Sequence, residues 1–153
     1  MPIRKLKEYL NSEGVKYVSI VHSPAYTAQE VAESAHVAGR KLAKTVIVQL
    51  DGQKAMAVLP ANRKIVLQDL RELTGSDQVK LVPEDEFAKL FPGCEVGAMP
   101  PFGNLYGMDV YVAGSLADNE DITFNAGSHT EVIQLAYRDF ERLVQPKVLS
   151  FTT

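Results

Sequence analysis

The sequence predicts an α/β protein: a single domain, residues 1–153, with a mixed and mostly antiparallel β-sheet surrounded by short helices. Short apolar runs rich in β-branched residues alternate with segments of helical periodicity, and proline or glycine stands at most junctions. Some predicted strands follow one another through a turn and others through a short helix, which favours a mixed sheet. The 153 residues, 46% of them hydrophobic, suffice for one core.

The first part of the chain predicts a helix, a strand and a second helix. Three apolar residues recur at helical spacing after Pro2, namely Ile3, Leu6 and Leu10. Gly14 ends that helix, and the run 15–21 predicts a strand. The sequence Thr27-Ala28-Gln29-Glu30 has the capping-box pattern and predicts a helix that continues to about His36.

The most strongly patterned stretch predicts a β-hairpin. Residues 45–50 are β-branched and apolar, as in a buried strand, and 55–59 form the return strand. Between them, Asp51-Gly52 supplies the pair of positive φ angles of a tight turn. Lys44 is therefore expected at the mouth of a central strand, where it is either a solvated charge or a site residue.

The remaining segments predict helices, strands and one long loop. Helices are expected over 67–73, 83–91 and 138–144, and strands over 79–82, 109–113, 121–125 and 130–137. The segment 97–107, with two prolines and three glycines, predicts a loop, and 114–120 predicts a polar turn. Pro146 is expected to end regular structure.

Composition excludes several functional classes. No apolar run approaches the ~20 residues of a membrane helix, and the start lacks the apolar core of a signal peptide. The lone Cys94 suits a reducing cytoplasm. A net charge of −3 gives no case for DNA binding. However, residues 36–64 carry six basic residues against Asp51, a local charge of +5 that either faces a phosphate-bearing ligand or points in several directions.

Common catalytic fingerprints are missing. The three histidines lack HExxH spacing and Cys94 has no cysteine partner, so neither a metal nor another cofactor is expected. The glycines of 97–107 are too far apart for a dinucleotide-binding loop. Ser128-His129 suggests a serine nucleophile, but adjacent strand residues point apart and the GxSxG pattern is absent.

Two loops fit a binding role better. Gly127 lets backbone approach a ligand closely, and Ser128 offers both an N–H and a hydroxyl. His129 either donates a hydrogen bond to a ligand or is a histidine at a strand start whose hydrogen bonds are made within the protein. The segment 97–103 is a loop stiffened by prolines, which either binds a ligand or simply connects two elements.

Four motifs follow one another in the order of the YbaK family: Lys44-Thr45 before a β-branched strand, Asp51-Gly52, Gly-x-x-x-Pro over 97–101, and Ala-Gly-Ser-His over 126–129. The chain resembles this family from about Val21 to Leu143. The family consists of aminoacyl-tRNA deacylases related to the prolyl-tRNA editing domain, which occur freestanding and inserted in bacterial prolyl-tRNA synthetases. The resemblance implies a YbaK-like fold and hydrolysis of the ester of a mischarged tRNA.

The resemblance also implies roles for individual residues. Lys44 matches the lysine that the family needs for activity. The binding residues that it implies are Thr45, Gly97, Pro101, Gly127, Ser128 and His129. Thr45 stands where the alanine-specific branch often has asparagine, and the cysteine-specific branch lacks the Ala-Gly-Ser-His turn. Alanine, serine and threonine remain open as the amino acid removed, with tRNA(Pro) as the expected carrier.

Two other functions compete with deacylation. A non-catalytic module would bind an aminoacyl-adenosine or a tRNA acceptor end without cleaving it, and a small-ester hydrolase would use Ser128. The deacylase hypothesis predicts an enzyme without metal whose partner is the acceptor end of charged tRNA, with prolyl-tRNA synthetase as a further candidate partner. No wide apolar stripe remains after the core is assigned, which favours a monomer that is not membrane-bound.

Overall fold

The computed structural model describes residues 2–25, 27–95 and 97–153. In these ranges the helices are α1 (Pro2–Ser12), α2 (Ala28–Ser34), α3 (Leu67–Thr74), α4 (Glu84–Phe87), α5 (Gly114–Ala117) and α6 (Tyr137–Val144). The strands are β1 (Tyr17–Val21), β2 (Leu42–Leu50), β3 (Gln53–Pro60), β4 (Val79–Leu81), β5 (Asp109–Ala113), β6 (Asp121–Asn125), β7 (Glu131–Ala136) and β8 (Lys147–Leu149). None of the described helices is both long and apolar enough to span a membrane.

All eight strands belong to one sheet in the order β1-β7-β6-β2-β3-β5-β8, and β4 pairs with β2 outside this path. The antiparallel pairs are β1–β7, β6–β7, β2–β3 and β2–β4. The pairs β2–β6, β3–β5 and β5–β8 are parallel. The predicted mixed, mostly antiparallel sheet with short helices is therefore confirmed.

The β2–β3 hairpin forms as predicted. Asp51 and Gly52 have φ angles of 48° and 87°, the two positive values of the tight turn. The Asp51 carboxylate also accepts hydrogen bonds from the backbone N–H groups of Asp77 and Gln78, at 3.0 and 2.8 Å. The turn is thereby tied to the start of β4, which holds the whole of β2 in place.

Two helix ends also follow the sequence signals. The Thr27 hydroxyl accepts a hydrogen bond from the Glu30 N–H at 3.1 Å and begins α2. Gly75, with a φ of 69°, ends α3 in the left-handed conformation. Since α2 packs against β2, its fixed start helps to shape that face of the sheet.

The two faces of β2 lie against different apolar clusters. Ala43 and Ile47 belong to the largest cluster, which also contains the buried rings of Phe102, Phe124 and Phe140. On the other face, Leu42 belongs to a cluster under α2, and Val48 to a third cluster with α3 and the C-terminal segment. Lys44 points to this second face because strand side chains alternate. It therefore lies between two apolar clusters.

Three expectations were wrong in detail. The strand β2 begins at Leu42, since Leu42 and Ala43 pair with β6, so Lys44 lies inside the strand and not at its mouth. The expected polar turn 114–120 contains the short helix α5. Regular structure also continues beyond Pro146, because β8 pairs with β5 and Phe151 is completely buried.

Candidate active site

The site begins at an interruption in the pairing of β2. One edge of β2 pairs with β6 at residues 42–43 and with β4 at residues 48–50. Between these pairings the Ile47 carbonyl accepts a hydrogen bond from the Val82 N–H at 3.0 Å, and residues 44–46 have no described strand beside them on that edge. The sheet therefore opens beside Lys44, and the chain that leaves β6 lies next to the opening.

Lys44 is half-buried and lies opposite Leu59 of β3. Burial lowers the pKa of the Lys44 ammonium group, because removal from water disfavours the charged form. The positive charge of Lys64 lowers this pKa further. The face of the sheet beside the opening thus carries an amine that releases its proton more easily than an exposed lysine does.

The two predicted binding loops are hydrogen-bonded to each other. The Glu95 N–H donates to the Gly127 carbonyl and the Gly127 N–H donates to the Ala98 carbonyl, both at 2.9 Å. Gly97 and Gly127 have φ angles of 84° and 99°, which favour glycine. The structure therefore joins the Gly97–Pro101 loop to the 126–129 turn, although thirty residues separate them in sequence.

His129 lies where these loops meet. It is buried, its backbone N–H donates to Glu95 Oε2 at 2.9 Å, and its Nε2 lies 3.9 Å from the same oxygen. A β-carbon placed on Gly97 would lie 3.7 Å from His129 Cε1. Glu95, which the sequence motifs did not single out, therefore connects the loop to His129.

The other predicted site residues take different positions. The Ser128 hydroxyl lies 3.2 Å from the Thr130 hydroxyl, while the His129 ring lies beside Glu95 and Gly97. Pro101 is buried next to Phe102 of the largest cluster. Thr45 is half-buried and its side chain points away from the Lys44 face, as strand alternation requires.

Two further residues, one at the end of β6 and one directly after β1, carry buried polar atoms. Asn125 Oδ1 and His22 Nε2 are buried and have no hydrogen-bond partner among the described residues. His22 Nδ1 lies 2.8 Å from the Ser23 carbonyl, and its backbone N–H donates to the Thr130 carbonyl. Neither residue was predicted to belong to the site, although a polar residue at the end of an apolar strand, just before a glycine turn, is a recognisable sequence signal in the case of Asn125.

Asn125 is on the same face of the sheet as Lys44. Ala43 pairs with Phe124 in the parallel β2–β6 ladder, and both belong to the largest cluster. The next residue of each strand must then point to the opposite face. Buried polar atoms in proteins nearly always have a partner, so an unpaired acceptor beside the opening is available to a ligand.

The fold and this lysine-centred opening define a YbaK-like α/β domain. The chain belongs to the aminoacyl-tRNA editing domain family, whose model matches residues 22–143. This range agrees with the resemblance predicted from residue 21 to residue 143, so that prediction is confirmed. Family membership also supports the predicted class of activity, a trans-editing hydrolase that deacylates aminoacyl-tRNA.

Relatives of known name are similar over much of the chain. The multifunctional Ser/Thr-tRNA deacylase ProXp-y of Escherichia coli K12 is 26% identical over 153 residues, which cover 97% of this chain and 91% of the relative. A proline–tRNA ligase of Maridesulfovibrio salexigens is 29% identical over 94 residues, which cover 61% of this chain and 16% of the ligase. The chain is thus similar to a freestanding deacylase and to one part of a synthetase.

Two solved structures share the fold. The hypothetical protein APE2540 superposes with a TM-score of 0.87 at 21% identity, covering 97% of this chain and 99% of that chain. A protein described as a candidate trans-editing enzyme for prolyl-tRNA synthetase gives a TM-score of 0.83 at 17% identity, with 99% and 97% covered. At these identities the likeness supports the fold alone.

Proposed function

We propose that this chain, residues 1–153 acting as one editing domain, removes serine or threonine from mischarged tRNA in the cytoplasm, with Lys44 as its catalytic residue. Water attacks the ester carbonyl, and the products are the free amino acid and the free terminal ribose hydroxyl of the tRNA. The observation that carries the proposal is a half-buried lysine at the one interruption of β2 pairing described above, beside two linked loops.

Lys44 acts in its cationic form. A positive charge held in a partly desolvated site interacts more strongly with developing negative charge than the same charge in water. Because β2 is paired on its other edge along residues 43–50, the Lys44 backbone is held in place. A cation carried by a fixed backbone requires less reorganisation during the reaction than one carried by a mobile loop.

Backbone N–H groups of the two loops supply further stabilisation of the oxyanion. The N–H groups of Gly97 and Ser128 donate no hydrogen bond within the described part of the chain. The first belongs to the Gly-x-x-x-Pro loop and the second to the turn bonded to it. Two preorganised donors of this kind are typical of sites that cleave acyl groups.

Asn125 Oδ1 and His22 Nε2 offer hydrogen-bonding atoms to the aminoacyl group. Both atoms are buried and have no partner among the described residues. The hydroxyl of a serine or threonine side chain can satisfy such an acceptor, whereas the methyl side chain of alanine leaves it unpaired. This asymmetry favours serine and threonine over alanine.

The proposed substrate also follows from the relatives. The deacylase ProXp-y is named for Ser/Thr-tRNA, and the similarity to a proline–tRNA ligase links this chain to prolyl-tRNA synthetase. We therefore take tRNA(Pro) as the first carrier to test and the synthetase as the first partner. The acceptor end is the part of the tRNA that the site binds, and the protein acts as a monomer.

The test measures release of labelled amino acid from tRNA(Pro) charged with alanine, serine, threonine, cysteine or proline, with and without prolyl-tRNA synthetase. Each reaction contains a metal chelator and compares wild type with Lys44→Ala. Lys80→Ala is the matched control, since Lys80 is an exposed lysine on β4 that pairs with the far end of β2. Size-exclusion chromatography with light scattering gives the oligomeric state.

We expect chelator-insensitive release of serine and threonine, little release of proline, loss of activity in Lys44→Ala and full activity in Lys80→Ala. If no charged tRNA is hydrolysed while an acceptor end still binds, the non-catalytic module replaces this proposal. Release that persists in Lys44→Ala contradicts the role of the lysine.

A further inference from the structure

The segment 61–67 crosses the face of the sheet to which Lys44 points. At its start, Ala61 packs in the same apolar cluster as Leu42 of β2. Near its end, Ile65 packs against the cluster that contains Val48 of β2. Since Lys44 lies between Leu42 and Val48 on that face, the segment that carries Lys64 passes close to Lys44.

Hydrogen bonds fix this segment at both ends. The Ala61 N–H donates to the Leu42 carbonyl at 2.8 Å. The Lys64 N–H donates to Thr153 Oγ1 at 3.2 Å, and the Thr153 N–H donates back to the Lys64 carbonyl at 2.9 Å. An isolated bridge between Ile65 and Thr152 continues this pairing. The backbone of Lys64 is therefore held in place, and only its exposed side chain is free to reach a ligand.

Lys44 and Lys64 are two cations for which the described residues provide no ion-pair partner. Within the described residues, neither ammonium group lies within ion-pairing distance of a carboxylate. The two are close enough for the charge of Lys64 to lower the pKa of Lys44. Like charges held near each other in a partly buried site repel, and an anion placed between them relieves the repulsion.

We propose that Lys64 is a positioning residue that binds, beside Lys44, the phosphate on the 5′ side of the terminal adenosine of the tRNA. This inference rests on the proposed function for the identity of the ligand. The phosphate lies one ribose away from the ester, so a cation that holds it anchors the acceptor end beside Lys44 and strengthens the binding of substrate and transition state alike. Lys64 does not touch the reacting atoms.

Binding of adenosine and of adenosine 5′-phosphate separates the phosphate site from catalysis. Isothermal titration calorimetry measures both ligands with wild type, Lys64→Gln and the control Lys80→Gln. We expect the 5′-phosphate to bind about tenfold more tightly than adenosine in wild type and in Lys80→Gln, and this difference to disappear in Lys64→Gln. Circular dichroism confirms that each variant is folded.

Deacylation kinetics supply a second readout. Lys64→Gln should raise KM about tenfold and leave kcat within about twofold, because it weakens binding without touching the reacting atoms. Lys64→Arg should restore KM. The dependence of log KM on log salt concentration should fall by about 0.7 in Lys64→Gln, the value for one lost phosphate contact on a single strand.

The results distinguish this inference from the proposed function. Three results would each overturn the phosphate site, even if charged tRNA is hydrolysed. They are equal affinities for adenosine and its 5′-phosphate in wild type, no binding of the 5′-phosphate at millimolar concentration, and an unchanged preference in Lys64→Gln. A preference that depends on Lys64, without hydrolysis of any charged tRNA, supports the phosphate site and rejects the deacylase.

Discussion

Lys44 and Asn125 follow directly after a paired position on two neighbouring parallel strands, and their side chains point to the same face of the sheet. The paired residues before them, Ala43 and Phe124, are buried in the largest apolar cluster. Lys44 and Asn125 stand where the two strands separate, so the ladder places a cation next to a buried acceptor without any contribution from the loops. In the proposed function, the two loops add backbone donors to this site.

The first prediction concerns the pH dependence of deacylation. Burial and the charge of Lys64 lower the pKa of Lys44, so the cationic form is lost at lower pH than for an exposed lysine. After subtraction of uncatalysed hydrolysis, kcat/KM should fall as pH rises through this lowered pKa. Lys64→Gln should move the fall to higher pH, because it removes one of the two causes of the shift.

The same shift has a consequence for stability. Between the lowered pKa and the ordinary pKa of lysine, the unfolded chain binds more protons than the folded chain at this site. The contribution of Lys44 to the free energy of unfolding therefore increases with pH in that window. Urea denaturation at several alkaline pH values, compared with Lys44→Gln, measures this contribution.

The pH dependence of the rate also has a contrary outcome. A deacylation rate that rises, instead of falling, through the same pH range would identify neutral Lys44 as a base.

A second prediction uses the unpaired acceptor of Asn125. Asn125→Leu removes a buried oxygen that has no partner among the described residues, so the free energy of unfolding should stay unchanged or rise. Deacylation of seryl-tRNA should fall about tenfold, the value of one hydrogen bond of about 1.4 kcal/mol. Chemical denaturation and single-turnover kinetics measure the two effects.

Asn119→Leu is the matched control for Asn125→Leu. The Asn119 amide donates to the carbonyls of Arg40, Ser115 and Leu116 at 2.9 to 3.3 Å. Its replacement should lower the free energy of unfolding by about 1–3 kcal/mol and leave kcat/KM nearly unchanged. If Asn125→Leu behaves in the same way as this control, Asn125 has a structural role and does not contact substrate.

A third prediction tests the conformation of the Gly-x-x-x-Pro loop. Gly97 has a φ of 84°, so Gly97→Ala should cost about 1–2 kcal/mol of stability through backbone strain. The added β-carbon meets His129 at an ordinary contact distance, so no clash adds to this cost. Relief of the strain would move the loop and its N–H group, and kcat/KM should fall at least tenfold.

Gly75→Ala separates strain from function. Gly75 has a similar φ of 69° with open space around its β-position, and it ends α3 away from the loops. Its replacement should cost the same 1–2 kcal/mol and leave kcat/KM unchanged. Equal losses of activity in both variants would mean that lower stability alone explains the effect of Gly97→Ala.

The sequence was sufficient to predict features that depend on local chemistry. The Asp51-Gly52 turn, the Thr27 cap and the strand β6 all form where the residue types predicted them. Local rules suffice here because a tight turn or a cap is determined by a few adjacent residues. The position of Lys44 before a strongly patterned strand leaves its role open, and its prediction as a site residue rests on the family resemblance.

Features that depend on distant contacts could not be predicted in this way. Asn125 gains its position beside Lys44 only through the parallel β2–β6 ladder, and Glu95 contacts His129 across 34 residues of sequence. The three residues of β8 are too few to show a periodicity, and their strand conformation comes from pairing with β5. Such elements are determined by tertiary contacts that no local pattern encodes.

A fourth prediction distinguishes lysine-dependent hydrolysis from a serine nucleophile. Ser128→Ala removes a hydroxyl that lies 3.2 Å from Thr130 Oγ1 and keeps the backbone N–H. We expect kcat/KM to fall less than tenfold, against a loss of at least 100-fold in Lys44→Ala. Rapid-quench kinetics should show no burst of acyl-enzyme. Complete loss of activity in Ser128→Ala, together with a burst, would establish the small-ester hydrolase instead.

The last prediction concerns the C-terminal segment that holds Lys64. Phe151 is completely buried in the cluster with α3, and the Phe151 carbonyl accepts a hydrogen bond from the Val66 N–H at 2.7 Å. Phe151→Ala should lower the free energy of unfolding by about 3–5 kcal/mol. Val148→Ala, at a side chain 45% exposed, should cost less than about 1 kcal/mol. Urea denaturation measures both.

Phe151→Leu connects this segment to the proposed phosphate site. Leucine keeps most of the buried volume, so the variant should remain folded with a loss of about 1–2 kcal/mol. If the segment positions Lys64 through its pairing with residues 64–66, the affinity for adenosine 5′-phosphate should fall several-fold while the affinity for adenosine stays the same. A stability loss without any change in the affinity for the phosphate would mean that the segment stabilises the core and does not position Lys64.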